Sequence, residues 1–354
     1  MIMHYEIKTE KVKNSRLADI DFDNIPFGRV FTDHMLVSDY TNGDWQETII
    51  LPFQELRLSP AATVFHYGQE IFEGLKAYRD HEGNPYLFRP YENLKRMNYS
   101  ADRMEMPEIP EDIFIDGIKK LVSLDRKWIP NNEGGSLYIR PFMFANDEYV
   151  GIKASDNYKF VIFCCPVNAY YSEPIKIKIE QTFVRAAKGG TGDAKTGGNY
   201  AASLHAVTRA RKIGYTQMLW TDAVEHKWIH ECGTMNVFFV IDDKIITPNL
   251  DGCILQGVTR DSILTLLRDN EYKVEERPIS IDEMVEAHRN GQLKEVFGAG
   301  TAAVIAQIKA IGYNDEDLTL PPFEEWEVSN WLFETLQGIK HFKIPDKYGW
   351  MVRV

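Results

Sequence analysis

A lysine lies within a glycine-rich segment in the middle of the chain. The segment KGGTGDAKTGGNY, Lys188 to Tyr200, places five glycines around Lys195. A lysine amine can hold an anion by its charge, or it can act as a nucleophile that condenses with an aldehyde. It can also be an ordinary solvated side chain in a tight surface turn, as most lysines are. The first question raised by the sequence is which of these roles Lys195 has.

The segment nearly matches a phosphate-binding pattern, G-x-x-x-x-G-K-[ST], which follows a strand and opens a helix. Gly189 and Lys195-Thr196 fit this pattern, but Ala194 stands where the second glycine belongs. We expect Gly197-Gly198 to disrupt the helix that should begin there, since each glycine costs ~1 kcal/mol. Asp222, which ends the predicted strand QMLWTD, is a weak candidate for a magnesium ligand. The pattern therefore indicates a P-loop phosphotransferase or NTPase only weakly.

A covalent role for Lys195 makes further demands on the chain. In pyridoxal phosphate enzymes a lysine forms a Schiff base with the cofactor, an acid faces the pyridine nitrogen, and N–H groups, hydroxyls and usually an arginine hold the phosphate. HECGTMNVFFV offers Glu231, LQGVTRDSIL offers Gly257–Thr259 at a predicted helix N-terminus, and VFGAGTAAV offers Thr301. Taken singly, none of these is specific, because a glutamate before a turn is more often a solvated residue.

Composition and charge exclude several classes of function. The chain has 354 residues, of which 44% are hydrophobic and 26% charged, and its formal net charge is −12. This acidic balance argues against nucleic acid as a partner, because neutralising phosphates requires a basic face. No apolar run approaches the ~20 residues of a membrane-spanning helix, and the N-terminal residues lack the apolar core of a signal peptide. We therefore expect a cytoplasmic, two-domain protein that does not enter a membrane.

The four cysteines indicate neither a metal site nor a disulfide framework. Cys164 and Cys165 are neighbours in a predicted strand and point to opposite faces, while Cys232 and Cys253 lie far apart in sequence. No Cys-x-x-Cys pair suggests zinc. We expect buried, reduced thiols and no bound metal.

Strands and helices are mixed in both halves of the chain. PEDIFIDGIKKLVSLDRKW predicts a helix, and SLYIRPFMF and YKFVIFCCPV predict strands. The turn-prone NAYYSEP favours a boundary between a domain of residues 1–168 and a domain of residues 175–354, joined by a linker of residues 169–174. IKIKIEQTFVRAA then predicts a strand before the lysine segment, and a helix is expected from about Tyr200 to Lys212.

The rest of the second half shows clear local signals. MNVFFVIDDKIIT predicts a hairpin that turns at Asp242-Asp243, and GVTRDSILTLLRDN predicts a helix. Ser280 and Glu283 form a capping-box pattern, and PPFEEWEVSNWLFETLQGIK predicts an amphipathic helix near the C-terminus. These elements predict an α/β fold with mixed sheets, in the α+β sense. The hairpins exclude a purely parallel, doubly wound fold.

Seven motifs, taken together in this order, closely resemble the branched-chain amino acid aminotransferases, which are fold-type IV pyridoxal-phosphate enzymes. The motifs are FEGLKAYR, LFRPYENLKRM, SLYIRPF, GGTGDAKTGGNYA, ECGTMNVFFV, GVTRDSIL and EVFGAGTAA. The resemblance runs from about residue 28 to about residue 301 and continues more weakly to the C-terminus. It implies a smaller N-terminal domain and a larger C-terminal domain that carries the Schiff-base lysine.

The resemblance implies cofactor roles for individual positions. Lys195 matches the Schiff-base lysine, and Tyr200 the tyrosine that hydrogen-bonds the ring hydroxyl. Glu231 matches the carboxylate facing the pyridine nitrogen, and Arg96 the phosphate arginine. Without the resemblance, Tyr200 would be taken as a core residue and Arg96 as a surface residue. The other positions implied close to the cofactor, three of them in the phosphate cup, are Val258, Thr259, Thr301 and Arg185.

The resemblance also implies a substrate pocket and a partner. Arg140 matches the arginine linked to the distal carboxylate of an acidic co-substrate, and Thr234 with backbone groups at Thr301 and Ala302 would hold the α-carboxylate. In this family the loop corresponding to that of Ile152 enters the neighbouring subunit's pocket, which implies a homodimer. Packing in the core is the alternative for the apolar positions. The pocket-lining positions are Tyr67, Phe72, Tyr138, Ile152 and Tyr170.

The implied reaction is transfer of the amino group of Leu, Ile or Val to 2-oxoglutarate with ping-pong kinetics. A D-amino acid aminotransferase or an aminodeoxychorismate lyase of the same fold is the alternative, although YIRP and GTMN favour the branched-chain group. Ala303 and Ala306 stand where some relatives carry a Cys-x-x-Cys redox switch, so we expect no such switch. Cys232 stands where an apolar residue is usual, and we expect only a packing effect.

Overall fold

The computed structural model describes residues 5–132, 134–168 and 173–354, and no helix in these ranges is long and apolar enough to cross a membrane. The contacts divide the chain into two compact units. The first comprises Met1–Tyr170, Ala194–Gly197 and Gln337–Val354, and the second comprises Tyr171–Asp193 and Gly198–Leu336. This division differs from the predicted domains, because the Lys195 segment and the C-terminal segment belong to the first unit, which is thereby the larger.

The described residues form strands and helices throughout both units. The strands are β1 Ile7–Thr9, β2 His34–Thr41, β3 Asp44–Pro52, β4 Glu70–Phe72, β5 Leu75–Arg79, β6 Pro85–Phe88, β7 Ser136–Ala145, β8 Tyr158–Val167, β9 Ile175–Ile179, β10 Gln217–Thr221, β11 Ile229–Cys232, β12 Asn236–Ile241, β13 Lys244–Thr247, β14 Lys273–Glu276, β15 Leu293–Gly300, β16 Val304–Tyr313, β17 Glu316–Thr319 and β18 Met351–Arg353. The helices are α1 Thr63–Tyr67, α2 Pro90–Arg103, α3 Gly117–Leu124, α4 Gly197–Lys212, α5 Val258–Asp269, α6 Ile281–Arg289 and α7 Val328–Lys340.

The first unit is built on a mixed sheet with the strand order β1-β3-β2-β8-β7-β5-β6-β18, and β4 pairs with β7. Its strand pairs are antiparallel, except for β1 with β3. The register places Lys76 opposite Tyr138 and Tyr138 opposite Cys165, so these three side chains share one face. The apolar core includes the fully buried Leu36, Ile50, Phe114 and Phe160.

The second unit is built on a sheet with the order β11-β10-β9-β16-β15-β12-β13-β14, and β17 pairs with β16. Parallel pairs join β9 to β10, β9 to β16 and β13 to β14, while the other pairs are antiparallel. The predicted hairpin is confirmed, because β12 pairs with β13 and the chain turns at Asp242, whose φ is 51°. The mixed sheets of both units confirm the predicted fold class.

The helix boundaries confirm some local predictions and correct others. Ser280 accepts the N–H of Glu283 at 3.0 Å, so α6 begins where the capping box predicts. α4 begins at Gly197 rather than at about Tyr200, so the glycine pair forms its first turn instead of disrupting it. First-turn N–H groups lack helical partners in any case, and that of Gly197 donates to the Glu70 carboxylate.

The last helix, α7, begins later than its apolar pattern suggests. The predicted segment starts at Pro321, but the helix starts at Val328: Pro322 has an extended backbone, with φ −55° and ψ 134°, and a short 3-10 turn, Phe323–Glu325, precedes the helix. The buried carboxylate of Glu295 accepts the N–H groups of Val328 and Ser329, both at 2.8 Å. This side chain, distant in sequence, therefore stabilises the helix N-terminus.

The four cysteines are unpaired and buried, as predicted. Burial raises the pKa of the Cys232 thiol to about 12, with a further contribution from the charge of Glu231. Cys232 packs in the apolar core of the second unit, in agreement with the packing role expected for it. Burial also raises the pKa of Cys165 to about 11, against the opposing charges of Arg140 and Lys76.

The C-terminal segment joins the first unit through strand pairing and aromatic contacts. β18 pairs with β6, and the ring of Phe342 lies 4.6 Å from that of Tyr86. Lys340, at the end of α7, is 2% exposed, and its Nζ lies 4.6 Å from the centroid of the Phe88 ring. Burial, together with the charge of Lys76, lowers the pKa of Lys340 to about 7. The segment therefore carries an amine whose protonated form is destabilised by burial.

Replacing Lys340 with methionine is predicted to stabilise the protein at neutral pH. Below a pH of about 7 the lysine is protonated in both the folded and unfolded states, and the cost of burying its charge is fully present. Between that pH and the unfolded-state pKa of ~10.4, the unfolded state binds more protons, so wild-type stability rises by up to ~1.4 kcal/mol per pH unit. The advantage of Lys340→Met, measured by urea unfolding, should therefore shrink as the pH rises.

Lys127→Met serves as the control for this prediction, because Lys127 is exposed on the same unit. Its unfolding free energy should differ from wild type by less than ~0.5 kcal/mol at every pH. A stabilisation by Lys340→Met that is constant with pH would show that packing, not the buried amine, is responsible.

Candidate active site

Lys195 lies in a loop whose backbone is fixed to the first unit. Its N–H donates to the hydroxyl of Ser100 at 2.9 Å, and its carbonyl accepts the N–H of Phe72 at 3.0 Å. The Thr196 hydroxyl donates to the Glu70 carbonyl at 2.7 Å. The Lys195 Nζ lies 4.7 Å from the centroid of the Phe72 ring, which contradicts the alternative of a freely solvated lysine.

The glycine that follows Thr196 is needed for close packing against a carboxylate. A Cβ on Gly197 would lie 1.7 Å from Oε1 of Glu70. Burial raises the pKa of Glu70, although the Gly197 N–H and the charge of Arg140 oppose this. The N–H that a phosphate loop would offer to a phosphate therefore serves a carboxylate of the chain itself, which argues against the phosphate-loop alternative.

Arg96 forms a two-point ion pair with Glu73, a residue that the sequence analysis did not single out. Nε of Arg96 donates to Oε1 at 2.7 Å and Nη2 donates to Oε2 at 2.8 Å, and both residues are buried. Burial by itself would raise the pKa of Glu73. The charges of Arg96 and Lys195, together with the hydrogen bonds from Arg96 and Asn93, outweigh burial, so the pKa of Glu73 lies below its usual range. Arg96 is thus a buried, oriented cation and not a surface residue.

One buried face of α2 is polar and supports this pair. Asn93, Arg96 and Ser100 are spaced as i, i+3 and i+7, which places them on one side of a helix. Asn93 donates to Oε2 of Glu73 at 2.8 Å, and Ser100 accepts the N–H of Lys195. This helical spacing is the signal that could have found Asn93 and Ser100 from the sequence, and Glu73 lies within the quoted motif FEGLKAYR.

Phe72, Tyr138 and Arg140 are brought together in the first unit. The guanidinium of Arg140 lies 4.7 Å from the centroid of Phe72 and 5.5 Å from that of Tyr138, and its Nη2 donates to the Tyr138 hydroxyl at 3.2 Å. The Arg140 Nε is buried without a hydrogen-bond partner in the described residues. Since Lys195 also contacts Phe72, an amine and a guanidinium lie on the same ring, each 4.7 Å from its centroid.

Tyr67 and Ile152 lie on an exposed apolar surface of the same unit. The start of α1 and the loop after β7 adjoin, because Ala62 bridges Glu148 and the N–H of Tyr149 donates to the carbonyl of Ala61. We call this region the α1–β7 loop surface. Ile152 is 92% exposed and Tyr67 is 42% exposed. Tyr170, the remaining predicted pocket residue, lies outside the described residues. The surface comprises Phe65, Tyr67, Tyr149, Val150 and Ile152.

Glu231 is a buried acid of the second unit. Its Oε1 accepts the side-chain amide of Asn236 at 3.2 Å and the N–H of Leu255 at 3.1 Å. Its Oε2 lies 2.9 Å from Nε of Arg185, an ion pair whose N–H is not aimed at the oxygen. Arg185 also donates to the carbonyl of Gly192 at 3.2 Å. The predicted residues Glu231 and Arg185 are therefore partners.

The N-terminus of α5 has the features of an anion site. Gly257 occupies the N-cap position in an extended conformation and has no side chain with which to cap the helix. Val258 and Thr259 follow in the first turn, and both are buried. First-turn N–H groups and the helix dipole favour an anion at this end of a helix.

Two tight turns bring Thr234, Thr301 and Ala302 to the same end of the second sheet. One turn joins β11 to β12, the other joins β15 to β16, and Asn236 of β12 pairs with Ala299 of β15. A Cβ on Gly300 would lie 3.9 Å from the Thr234 carbonyl. The second turn ends at Val304, whose φ of 61° is strained for a β-branched residue. Such strain is typical of functional turns.

Tyr200 lies within α4, five residues beyond Lys195. It is partly buried, and its carbonyl accepts the Ser203 hydroxyl at 2.7 Å. It is therefore not the fully buried core tyrosine of the alternative interpretation. Its role toward the ring hydroxyl stays a prediction.

Known proteins were compared with the chain as a whole. Residues 70–311 match the family "amino-transferase class IV". The branched-chain-amino-acid aminotransferase 2 of Bacillus subtilis (strain 168) is 48% identical over 338 residues, which cover 94% of this chain and 93% of that protein. The structure of the Escherichia coli branched-chain amino acid aminotransferase superposes with a TM-score of 0.72 at 26% identity, covering 91% of this chain and 99% of the other.

The chain therefore belongs to the class IV aminotransferases. Within them it belongs to the branched-chain amino acid aminotransferase family, as the resemblance of its motifs implies. Enzymes of this class use pyridoxal phosphate. A solved structure of another branched-chain amino acid aminotransferase, with pyridoxamine 5'-phosphate, superposes with a TM-score of 0.69 at 26% identity, covering 89% of this chain and 98% of that one.

The residues present fit this cofactor by the chemistry of their groups. The first unit offers a lysine amine at an aromatic face and a buried arginine for a phosphate. The second unit offers an α5 N-terminus without a side-chain cap and the buried carboxylate of Glu231, which an arginine, an amide and a backbone N–H surround. A carboxylate in such a setting is suited to a protonated ring nitrogen.

Replacing Glu73 with glutamine is predicted to weaken cofactor retention and to destabilise the fold by about 3 kcal/mol. The substitution keeps the shape of the side chain but leaves Arg96 with an unmatched buried charge. Because the pKa of Glu73 is depressed, its contribution is present above the usual carboxyl pKa and is lost as the pH falls through the lower folded-state value. The measurements are urea unfolding and the rate at which visible absorbance is lost on dialysis.

Glu92→Gln is the matched control, because Glu92 lies exposed on the same helix. It should retain cofactor and stability. Equal effects of Glu92→Gln and Glu73→Gln would contradict the role assigned to the buried pair.

Proposed function

We propose that the protein transfers the amino group of leucine, isoleucine or valine to 2-oxoglutarate, giving branched 2-oxo acids and L-glutamate. Family membership supports the reaction class. The observation that carries the substrate assignment is the shared Phe72 ring, with the Lys195 amine and the Arg140 guanidinium each 4.7 Å from its centroid. In this proposal Phe72 forms an aromatic wall of the substrate site, Lys195 supplies the reactive amine and Arg140 supplies a cation beside the same ring.

Lys195 is the catalytic residue in this proposal. Pyridoxal phosphate, when bound, supplies an aldehyde and a ring that accepts electron density. Lys195 would hold the cofactor through its amine, and as a free amine it would move a proton from the α-carbon of the substrate. The hydrogen bond that its N–H donates to Ser100 and the one that its carbonyl accepts from Phe72 fix its backbone, so that only the side chain moves.

The remaining site residues bind and orient in this proposal. Glu231 faces the ring nitrogen and keeps it protonated, and Arg185 pairs with Glu231. Arg96, the N–H groups of Val258 and Thr259, and Thr301 hold the phosphate, while Tyr200 contacts the ring hydroxyl. Thr234 and Ala302 hold the α-carboxylate. The substrate side chain contacts Phe72, Tyr138, Tyr170 and Arg140.

The pocket must accept an apolar side chain and an acidic one in alternate half-reactions. Phe72 and Tyr138 supply apolar surface for the branched chain, and Arg140 supplies charge for the distal carboxylate. Arg140 stays compatible with an apolar occupant because the faces of the two rings and the Tyr138 hydroxyl cover much of it. A cytoplasmic location, expected from the sequence, stays a prediction.

Replacing Lys195 with alanine tests the reaction. The purified wild type should be yellow, with a visible band that borohydride removes, and Lys195→Ala should lose that band and at least 10⁴-fold in kcat, roughly the scale of removing a covalent catalyst. Lys188→Ala, in the same glycine-rich segment, is the control and should keep both. Retention of band and activity by Lys195→Ala would disprove the central assignment.

A panel of amino donors with 2-oxoglutarate tests the substrate. L-Leu, L-Ile and L-Val should react with parallel initial-rate lines, as a ping-pong mechanism requires. D-amino acids should react at least 100-fold more slowly. Preferential use of D-amino acids, or release of pyruvate from aminodeoxychorismate, would favour the alternatives of the same fold.

A homodimer is the second part of the proposal. The α1–β7 loop surface is a contiguous region with large apolar side chains, and Ile152 at 92% exposure has little contact within its own subunit. Exposed apolar patches of this kind mark association sites. In a dimer, Ile152 and Tyr67 would complete the pocket of the partner.

Replacing Val150 with aspartate is predicted to shift the protein toward monomer and to lower activity with it. A charge at this position, now 70% exposed in the single chain, would be desolvated on association. Sedimentation velocity measures the assembly. Val224→Asp is the control, since Val224 is 88% exposed on the second unit, outside this surface. An unchanged assembly in Val150→Asp would exclude this surface as the interface.

A further inference from the structure

A second buried cation adjoins Arg140 on the same sheet face. Lys76 of β5 lies opposite Tyr138 of β7, and Arg140 follows two residues later on the face that Tyr138 occupies. Tyr138 in turn lies opposite Cys165 of β8. The charges of both Arg140 and Lys76 act on the Cys165 thiol, so both head groups lie within electrostatic range of the same sulfur. The two cations therefore flank Tyr138.

Lys76 is buried much more deeply than a lysine usually is. It is 6% exposed, and burial lowers its pKa to about 8, with the Cys165 thiol only partly opposing this. Its amine is therefore close to its titration point at ordinary pH, in contrast to Arg140, which is charged at every relevant pH. The neutral and charged forms of Lys76 differ little in free energy.

Titratable groups face Lys76 from several neighbouring elements of the unit. They are Tyr138 and Arg140 from β7, Cys165 from β8, and Lys340 from the end of α7. Tyr78 lies on the same face of β5, and burial raises its pKa far above the usual range. Cys165, with a pKa of about 11, and Tyr78 stay neutral near pH 8, so neither supplies a compensating negative charge.

An amine whose neutral and charged forms are close in free energy suits a pocket that receives both apolar and acidic side chains. A fixed second ammonium would oppose a leucine side chain, because a desolvated charge beside hydrocarbon is costly. A neutral amine would contribute little to binding a distal carboxylate. An amine near its titration point can be neutral with the first occupant and charged with the second, since a carboxylate within ~4–6 Å favours the charged form.

We propose that Lys76 determines how this site accepts both substrate classes: its amine is neutral when an apolar side chain is bound and takes up one proton from solvent when the distal carboxylate of an acidic substrate binds. The inference rests on the transamination proposed above. No covalent bond of the substrate changes in this step; the amine becomes an ammonium and the carboxylate stays ionised. Arg140 provides the constant charge and Lys76 the conditional one.

Kinetics of the pyridoxamine-form enzyme with two 2-oxo acids test this assignment. The acids are 2-oxoglutarate and 4-methyl-2-oxopentanoate, which share the α-carboxylate and carry no amine of their own. In the wild type, the ratio of their kcat/KM values, acidic over apolar, should already begin to fall with rising pH below a pH of about 8, because an amine that is neutral with the apolar acid must titrate below its free-enzyme value. It should then fall toward tenfold per pH unit above a pH of about 8, as the cost of protonating Lys76 rises.

Two substitutions at Lys76 separate charge from structure. Lys76→Met should give a ratio at least tenfold lower at pH 7, with no fall at higher pH. Lys76→Arg, which is always charged, should keep a high ratio at all pH values, chiefly because kcat/KM for the apolar acid drops. Lys127→Met is the control: it removes an exposed amine of the same unit that does not face Lys76, and the ratio should keep its size and its fall above pH 8.

Calorimetry provides a readout that needs no turnover. Glutarate and 4-methylpentanoate are unreactive counterparts of the two substrate classes, and their binding is measured at pH 8.5 in buffers of different ionisation enthalpy. The wild type should take up most of one proton more with glutarate than with 4-methylpentanoate. Lys76→Arg, which keeps a cation at this position, should show no such difference.

The outcomes that overturn the assignment are distinct from a failure of the proposed function. If the wild type uses neither 2-oxo acid, the transamination itself is wrong. If it uses both, but the ratio is independent of pH or proton uptake is the same for both ligands, Lys76 has no conditional charge. If Lys76→Met lowers both kcat/KM values equally and the fall above pH 8 remains, its role is structural.

Discussion

The buried ion pair between Glu73 and Arg96 is the interaction on which the first unit's part of the site depends. It joins the C-terminal end of β4, where Glu73 follows Phe72, to α2. These two elements also hold the Lys195 loop, through the N–H of Phe72 and the hydroxyl of Ser100. A buried pair of this kind stabilises little by itself, because desolvation consumes most of the attraction. What it provides is position, since neither charge can move without leaving the other unmatched. The location of Lys195 therefore follows from electrostatics as well as from hydrogen bonding.

The second unit surrounds its buried carboxylate, Glu231, with the same kinds of groups that surround Glu73. Glu73 is surrounded by an arginine, the side-chain amide of Asn93 and the N–H of Gly74, and Glu231 by an arginine, the side-chain amide of Asn236 and the N–H of Leu255. Both oxygens of Glu73 accept hydrogen bonds, whereas in Glu231 Oε1 accepts the amide and the backbone N–H and Oε2 has the charge of Arg185 beside it, so each buried charge is compensated. The two carboxylates differ in the role assigned to them. Glu73 aligns Arg96, whereas Glu231 is proposed to face the ring nitrogen itself.

Sequence patterns predicted what local physics decides. The hairpin at Asp242-Asp243, the capping box at Ser280 and the span of α5 follow from interactions within a few residues of one another. The patterns missed Glu73 as the partner of Arg96, and they missed the attachment of the C-terminal segment through β18 to β6, because those partners are distant in sequence. They also misjudged Gly197-Gly198, since only the approach of the Glu70 carboxylate shows why a helix can begin there.

The buried lysines show why the composition of the pocket face matters for function and stability together. Lys76 and Lys340 each lower the protein's stability while protonated, and Lys340 responds to the charge of Lys76 as well as to burial. A core built only for stability would place apolar residues at both positions. At Lys340 the amine contacts the ring of Phe88, which offsets only part of the cost of burying its charge. Lys76 lies next to Arg140, on the face where the acidic substrate is proposed to bind, so a ligand carboxylate can offset the cost of charging the Lys76 amine. The same physical penalty is therefore a plain loss of stability at one lysine and a means of discriminating substrates at the other.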